Sequence, residues 1–207
     1  AHLAPFVQVS REKFRKQVLK EFESVGLDLD EEKINEVAEL RVKEEINRGV
    51  QMIQYQVITL MTTNGRSPLV SLFMYLREDD EYIKENALII EEILKQRIEG
   101  MKDAEGKYIN PEFPKLIYAI DENNCLNGEK YDYLTHLALD CANKTQEPSF
   151  ISAKKMRENY SGNVFSPMGF RSFLTPWKDE NGTYKFEGRF NQGVVSINLP
   201  QIGIISQ

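Results

Sequence analysis

Short apolar runs that alternate with helical segments are the feature that most restricts how this chain can fold. Residues 67–76 (SPLVSLFMYL) and 113–120 (FPKLIYAI) are almost continuously apolar and have polar, turn-forming neighbours, which is typical of strands buried on both faces. Between them, residues 82–100 have helical spacing and end at Gly100. This alternation predicts an α/β fold in which helices cover a mainly parallel sheet.

Further segments extend this pattern toward both ends of the chain. Apolar residues at helical spacing predict an amphipathic helix over 10–26, with Ser10 as its candidate N-cap, and a longer helix that begins after Asp30. The longer helix is polar in its first half and apolar in its second, so the second half is expected to be the buried one. Shorter elements are predicted as helices at 131–144 and 152–159, and as strands at 193–199 and 201–206.

The predicted terminal strand bears on the extent of the domain. A strand at 201–206 without a following helix would leave an exposed sheet edge, which folded proteins usually avoid. No repeat or low-complexity linker divides the sequence. The chain is therefore expected to be a single partial domain, 1–207, of something longer.

Composition excludes several classes of partner. The net charge of −6 and the hydrophobic content of 41% indicate a globular protein without the clustered Lys and Arg that nucleic acids or acidic membranes require. No apolar run approaches the roughly 18 residues of a membrane-spanning helix, and the first residues do not follow the pattern of a secretory signal. We therefore expect a cytoplasmic protein that has neither nucleic acid nor membrane as partner.

The cysteines and histidines do not predict a metal site. Cys125 and Cys141 lack CxxC spacing, and the two histidines, His2 and His136, form no cluster with them. Cys141 shares the apolar side of its helix with Leu137 and is expected to be buried as a small hydrophobe. Neither a zinc site nor a disulfide is predicted.

Five sequence blocks occur in an order that is far more specific than any one motif. They are VQMIQYQVITLMTTNGRSPLVSLFMYL (50–76), FPKLIYAI (113–120), YDYLTHLALDCANK (131–144), SPMGFRSFL (166–174) and NGTYKFEGRFNQGVVSINLPQI (181–202). Together they resemble the central region of the anaerobic, oxygen-sensitive class III ribonucleoside-triphosphate reductases, which are glycyl-radical enzymes.

The resemblance implies a fold and a radical site. The fold is part of a ten-stranded α/β barrel made of two half-barrels, with a finger loop at about 163–177 that passes through its middle. The family's loop tip reads PMGCRSFL, and its cysteine carries the thiyl radical that abstracts the 3'-hydrogen of the ribose. Phe170 occupies that position here. A phenyl ring cannot form a thiyl radical and is larger than a thiol, so this chain is expected to be catalytically inactive.

Neighbouring residues acquire candidate roles from the same resemblance. Met168 matches the methionine that formate-using members place beside the radical cysteine, and Arg171 and Ser172 are candidates for contact with anionic or ribose groups of the substrate. Asn64 is a candidate on the substrate side. Each also has a plainer interpretation: Met168 packs as a flexible thioether, Arg171 binds backbone carbonyls, and Asn64 forms a turn with Gly65.

Cofactors and partners follow only from the resemblance. The intact family reduces ribonucleoside triphosphates with formate and a stored glycyl radical, is controlled by ATP and deoxynucleoside triphosphates, and is made radical-competent by an activase. Homodimers form through helices, so a homodimer or higher oligomer is expected. The family's second active-site cysteine, its N-terminal ATP-binding domain, its four-cysteine zinc site and its radical-bearing glycine are not identified within these 207 residues. No cofactor is therefore predicted for this chain.

Two alternatives remain open at the level of sequence. The chain can be a non-catalytic remnant that at most binds a nucleotide or forms dimers through its long helix. It can also derive from another glycyl-radical enzyme, such as a relative of the formate lyases, which share the barrel and the finger loop. The blocks at 131–144 and 181–202 argue against this second alternative.

Overall fold

Helices and short strands alternate along the computed structural model, which describes residues 2–27, 30–60, 65, 69–102, 105–167, 174–188 and 197–205. The helices are α1 (Ala4–Ser24), α2 (Glu31–Thr59), α3 (Ile83–Glu99), α4 (Glu122–Cys125), α5 (Asp132–Thr145), α6 (Ala153–Asn159) and α7 (Leu199–Ile205). The strands are β1 (Ser71–Met74), β2 (Met101–Lys102), β3 (Tyr108–Ile109), β4 (Lys115–Ile120), β5 (Ser149–Ser152), β6 (Trp177–Lys178) and β7 (Tyr184–Lys185). They belong to two compact units, Ala1–Val164 and Phe165–Gln207.

The first two helices test the predicted N-cap at Ser10 and the predicted helix start after Asp30. Helix α2 begins where expected, because the side chain of Asp30 accepts a hydrogen bond from the backbone N–H of Lys33 at 2.8 Å. Helix α1 begins earlier than predicted, so the assignment of Ser10 as N-cap is wrong. Pro5 lies in the first turn of α1, where the missing backbone N–H of proline leaves no helical hydrogen bond unmade.

Helix α2 is buried along one face for its whole length. Its buried side chains are spaced by three or four residues from Ile34 to Val57, with Val42 and Val50 between them. The expectation that only the second half would be buried is therefore wrong. Charged residues dominate the first half in number, yet its buried face carries the apolar side chains of Ile34, Ala38, Val42 and Ile46, and these decide burial.

The central sheet is parallel, as the sequence predicts. Its strand order is β1-β4-β5, with Ser71 opposite Lys115 and Ile117 opposite Ser149. The predicted strand at 113–120 and the helix at 82–100 are confirmed. The strand predicted at 67–76 is shorter, Ser71–Met74, and residues 66–68 lie outside the described residues.

A mixed α/β fold with a parallel sheet is thus established for this chain, and the larger barrel is not. Within the described residues, the strands form one three-stranded sheet and two two-stranded antiparallel sheets, without a closed barrel. The ten-stranded barrel stays a prediction from the family resemblance.

Helices α3 and α5 build the core against the sheet. Leu94 of α3 and Leu134 of α5 are fully buried with Tyr118 of β4 in one apolar cluster, to which α2 contributes Val42. Cys141 is also fully buried there, which confirms its predicted packing role. Burial raises the pKa of its thiol, so Cys141 stays protonated at neutral pH.

The last predicted strand is wrong. Residues Leu199–Ile205 form helix α7, and residues 193–196 of the preceding predicted strand lie outside the described residues. A short apolar run has no periodicity that separates a strand from a helix, and Pro200 fits the first turn of a helix. The argument that an exposed terminal strand marks a partial domain loses its premise.

The lengths and compositions of the helices bear on whether they can span a membrane. In the part of the chain that the structure describes, none of them combines the length and the apolar character needed to cross a bilayer.

Candidate functional site at the carboxyl edge of the sheet

Polar side chains collect where the strands of the parallel sheet end. Tyr75 directly follows β1 and Asp121 directly follows β4, while Arg157 lies on α6, which begins immediately after β5. The carboxyl ends of parallel strands lie at one edge of a sheet, and this is the edge at which α/β proteins usually place their ligands. We call Tyr75, Asp121 and Arg157 the edge triad.

An ion pair holds the edge triad together. The Arg157 guanidinium donates to both carboxylate oxygens of Asp121, with Nη2 at 2.6 Å from Oδ1, and its Nη1 donates to the hydroxyl oxygen of Tyr75 at 3.2 Å. The Asp121 side chain is only 4% exposed, whereas that of Arg157 is 35% exposed. A forked guanidinium on a buried carboxylate fixes orientation as well as distance. Helix α6 is thereby tied to the end of β4.

Opposing effects set the protonation of Asp121. Burial by itself raises the pKa of its carboxyl, but hydrogen bonds from Arg157 and from the backbone N–H of Glu122 outweigh burial, and the pKa lies below its ordinary value of 3.8. Tyr75 shows the reverse, because burial and the Asp121 charge raise the pKa of its hydroxyl. Asp121 is therefore a carboxylate and Tyr75 a neutral phenol at neutral pH.

Helix α4 completes this edge through two asparagines. The Asn124 side chain accepts from the backbone N–H of Asp121 at 2.9 Å and donates to the carbonyl of Ala119 at 3.0 Å. Asn123 donates through Nδ2 to the carbonyl of Leu76 at 3.0 Å. In the described part of the chain, Asn123 Oδ1 is a buried oxygen that lacks a hydrogen-bond partner. The turn after β4 is thus fixed to β4 and to the segment that follows β1.

A buried tyrosine joins the same turn to helix α5. Burial raises the pKa of Tyr118 to about 12, so its hydroxyl stays protonated. This hydroxyl lies 3.0 Å from Thr135 Oγ1, and Thr135 in turn donates to the carbonyl of Asn124. The network is closed, and its groups position backbone segments rather than present a reactive atom.

Breaking the ion pair is expected to destabilise the first unit. Arg157→Met leaves the buried Asp121 carboxylate without its cation, and we expect a loss of about 2–3 kcal/mol, less than the about 3–5 kcal/mol of a fully buried pair because Arg157 is partly exposed. The matched control is Lys155→Met on the same helix, which removes an exposed pair with Glu158 and should cost less than about 0.5 kcal/mol. Urea unfolding followed by circular dichroism measures both, and equal losses would contradict a special role for Arg157.

The same pair predicts a dependence on pH. A carboxyl whose pKa is lowered by folding contributes stability that is present above its unfolded pKa and is lost as the pH falls through its folded pKa. The stability difference between the wild-type chain and Arg157→Met should therefore be full at neutral pH and shrink below pH 3.8. Urea unfolding at several pH values measures this difference, and a gap that stays constant below pH 3.8 would show that Asp121 is not the responsible group.

The second unit contains an aromatic pair and a hairpin that are close in sequence to the predicted finger loop. Phe165 is buried and its ring centroid lies 5.3 Å from that of Phe186. Strands β6 and β7 form a hairpin whose turn is fixed by Asp179, which accepts from the backbone N–H groups of Asn181 at 3.0 Å and Thr183 at 2.9 Å. The hairpin lies between these two aromatic residues in sequence.

The site residues predicted from the resemblance all lie outside the described residues. They are Asn64, Met168, Phe170, Arg171 and Ser172. The structure therefore neither brings them together nor separates them. Sequence reasoning missed the edge triad, although one signal was available: the acidic DENN segment directly follows an apolar strand, where parallel sheets place polar ligand-facing groups.

Metal ligands do not cluster in the part of the chain described by the structure. Among those residues, no group of three or more His, Cys, Asp or Glu side chains is arranged to hold a metal ion.

Comparison with known proteins gives a consistent result. The family profile of the anaerobic ribonucleoside-triphosphate reductases matches residues 1–207. The chain is 37% identical over 171 residues to the anaerobic ribonucleoside-triphosphate reductase of Enterobacteria phage T4, covering 82% of this chain and 27% of that protein. It is 36% identical over 203 residues to the protein of the same name from Escherichia coli, covering 98% of this chain and 26% of the relative. The chain spans about a quarter of the length of the curated relatives it matches.

Proposed function

Because this chain belongs to the anaerobic ribonucleoside-triphosphate reductase family, we propose that it supplies the central barrel segment of such an enzyme, including the finger loop at about 163–177. The observation that carries the proposal is the family match over all 207 residues. The reaction of the intact enzyme is the reduction of ribonucleoside triphosphates to deoxyribonucleoside triphosphates in the cytoplasm, with formate as reductant. The segment 1–207 is one part of the ten-stranded barrel.

Phe170 makes this chain a non-catalytic version of the segment. The tip of the finger loop needs a sulfur that loses a hydrogen atom to the stored glycyl radical and then takes the 3'-hydrogen from the ribose. The phenyl ring of Phe170 has no comparably weak bond to hydrogen and fills space that the sugar would occupy. Met168, Arg171 and Ser172 keep the family pattern around it, so substrate contacts at the loop can persist without chemistry.

A transplant tests the assignment of the segment and its inactivity. The chain replaces the matching quarter of the E. coli relative, and the hybrid is assayed for formate-dependent reduction of ribonucleoside triphosphates after activation. With Phe170 in place, we expect a hybrid that is folded by circular dichroism but gives no reduction above background. Reduction by this hybrid would contradict the role assigned to position 170.

Assembly is the second element of the proposal. Large apolar side chains on α1 and α2 are exposed, among them Phe6 (69%), Val9 (63%) and Leu40 (62%), and they favour a homodimer or higher oligomer through these helices. The radical-generating activase and the effectors, ATP and deoxynucleoside triphosphates, are proposed as partners of the intact enzyme only.

Sedimentation velocity at micromolar concentration checks the assembly. We expect a dimer or larger species, and a charged double variant, Phe6→Asp with Val9→Asp, should shift it toward the monomer because a buried carboxylate is unfavourable in an apolar interface. Leu126→Asp, at an exposed apolar position (53%) outside α1 and α2, is the control and should leave assembly unchanged. A strictly monomeric wild-type chain would refute this element of the proposal.

A further inference from the structure

A cleft opens in the first unit, away from the edge triad. It lies between the C-terminal halves of α2 and α3 and the hairpin formed by β2 and β3, and it has a volume of ≈ 600 Å³. Sites for small molecules usually fall between about 300 and 1,000 Å³. We call it the α2–α3 cleft, and its lining residues lie between positions 48 and 108.

Two tyrosines line the α2–α3 cleft from different elements. Tyr55 belongs to α2 and Tyr108 to β3, and each is 60% exposed. Met52 and Met101 lie beside them in the lining. Exposed aromatic faces with thioethers in the same lining suit a planar ring, because every nucleobase has a face that can stack on them.

A buried amide lies in the lining with hydrogen-bonding capacity to spare. Gln54 is only 6% exposed, and within the described residues its side chain has a single long hydrogen bond, from Nε2 to Gln96 Oε1 at 3.4 Å. Gln96 is already committed, since its Nε2 donates to the carbonyl of Asn47 at 2.9 Å and to Glu92 Oε1 at 2.7 Å. The Gln54 amide therefore keeps an acceptor and a donor, the pair of groups that matches the edge of an adenine base.

Charges in the lining supply groups for the rest of such a ligand. The Arg48 side chain is 80% exposed, and its ion pair with Glu44 is long, at 3.9 Å. Lys102 Nζ lies over the Tyr108 ring, 5.3 Å from its centroid. Both side chains carry several N–H donors, so each has donors for a phosphate beside these contacts. Glu99 adds one carboxylate, which accepts hydrogen bonds from ribose hydroxyls but repels a long polyphosphate.

From this arrangement we propose that the α2–α3 cleft binds a purine nucleoside monophosphate, with the base between Tyr55 and Tyr108, its edge on Gln54, and the phosphate at Arg48 and Lys102. The described lining of the cleft contains no residue of the predicted finger loop, and the proposed binding does not use the reductase chemistry. It requires neither Cys nor Phe at position 170.

Calorimetric titration of the 207-residue chain with adenosine 5'-monophosphate tests the site. We expect saturable binding with a dissociation constant below about 1 mM. Tyr55→Ala should weaken binding by about tenfold, the usual effect of losing one stacking partner. Arg48→Ala should weaken it several-fold and reduce its sensitivity to salt. Leu139→Ala, an exposed apolar position on α5 (51%), and Arg77→Ala, another exposed arginine, are the matched controls and should bind as the wild-type chain does.

Each outcome decides the proposal. Loss of affinity in Tyr55→Ala and Arg48→Ala with unchanged controls supports it, and so does saturation transfer from tyrosine protons of the wild-type chain to the H8 and H1' protons of the nucleotide. The absence of saturable binding overturns it, as does binding that the cleft variants leave unchanged. Equal competition by inorganic phosphate alone overturns the assignment of a nucleoside ligand. Since the transfer experiment uses no variant, misfolding of a variant cannot leave the question undecided.

Discussion

Phe170→Cys in the hybrid with the E. coli relative is expected to raise nucleotide reduction from background to measurable turnover, a change of about 10⁶-fold or more. The reason is chemical. Hydrogen abstraction from the ribose needs a thiyl radical, and this substitution returns the sulfur to the position where the family's loop carries it. It also removes the bulk of the phenyl ring from the space proposed for the sugar.

The matched control is Phe170→Ser, which differs from Phe170→Cys by a single atom. Serine removes the same bulk but has an O–H bond that is too strong for this exchange of hydrogen, so we expect background activity. Equal activity of the serine and cysteine hybrids would show that space rather than sulfur limits the reaction. The isolated chain with Phe170→Cys is expected to stay inactive, because the radical-bearing glycine and the second active-site cysteine are not identified in it.

Leu134→Ala is expected to lower the free energy of unfolding by about 2–5 kcal/mol, at least as much as the loss of the Asp121–Arg157 ion pair. Leu134 is fully buried on α5 in the cluster that joins α3, α5 and the sheet. Truncation removes three carbon atoms from that cluster and leaves a cavity, because the parallel sheet behind it cannot close the gap. Urea unfolding followed by circular dichroism measures the change.

Leu139→Ala on the same helix is the control for this prediction. Its side chain is 51% exposed, so the same substitution should change the free energy of unfolding by less than about 0.5 kcal/mol. The slightly better helix propensity of alanine offsets part of any loss. Comparable losses for the two variants would mean that the α3–α5 cluster does not form the stabilising core.

Sequence predicted the elements whose pattern is long or repeated. The spacing of apolar residues over 82–100 and the unbroken apolar run before Ile120 give α3 and β4 almost to their ends. The Asp30 cap of α2 is equally readable, because a side-chain acceptor followed by acidic residues is a strong helix start.

Elements that depend on distant contacts were missed. Strand β5 has only four residues, and its strand state depends on pairing with β4. Helix α7 has the composition of a strand, and only backbone geometry separates the two. The edge triad joins Asp121 to Arg157 across 36 positions, a spacing that no local pattern contains. The predicted radical position rests on the loop motif alone, which is why position 170 is best tested by chemistry.

The pairing order of the parallel sheet also has a consequence for synthesis on the ribosome. Ser71 of β1 pairs with Lys115 of β4, so the neighbour that the described residues give β1 in this sheet leaves the ribosomal tunnel only 44 residues later. At about 5–20 residues per second, that interval lasts roughly 2–9 s. During this interval α2 and α3 can form from local contacts, while the apolar β1 segment still lacks its β4 partner. Slow or paused translation across residues 75–115 should therefore lower the yield of correctly folded chain and increase its demand for chaperones.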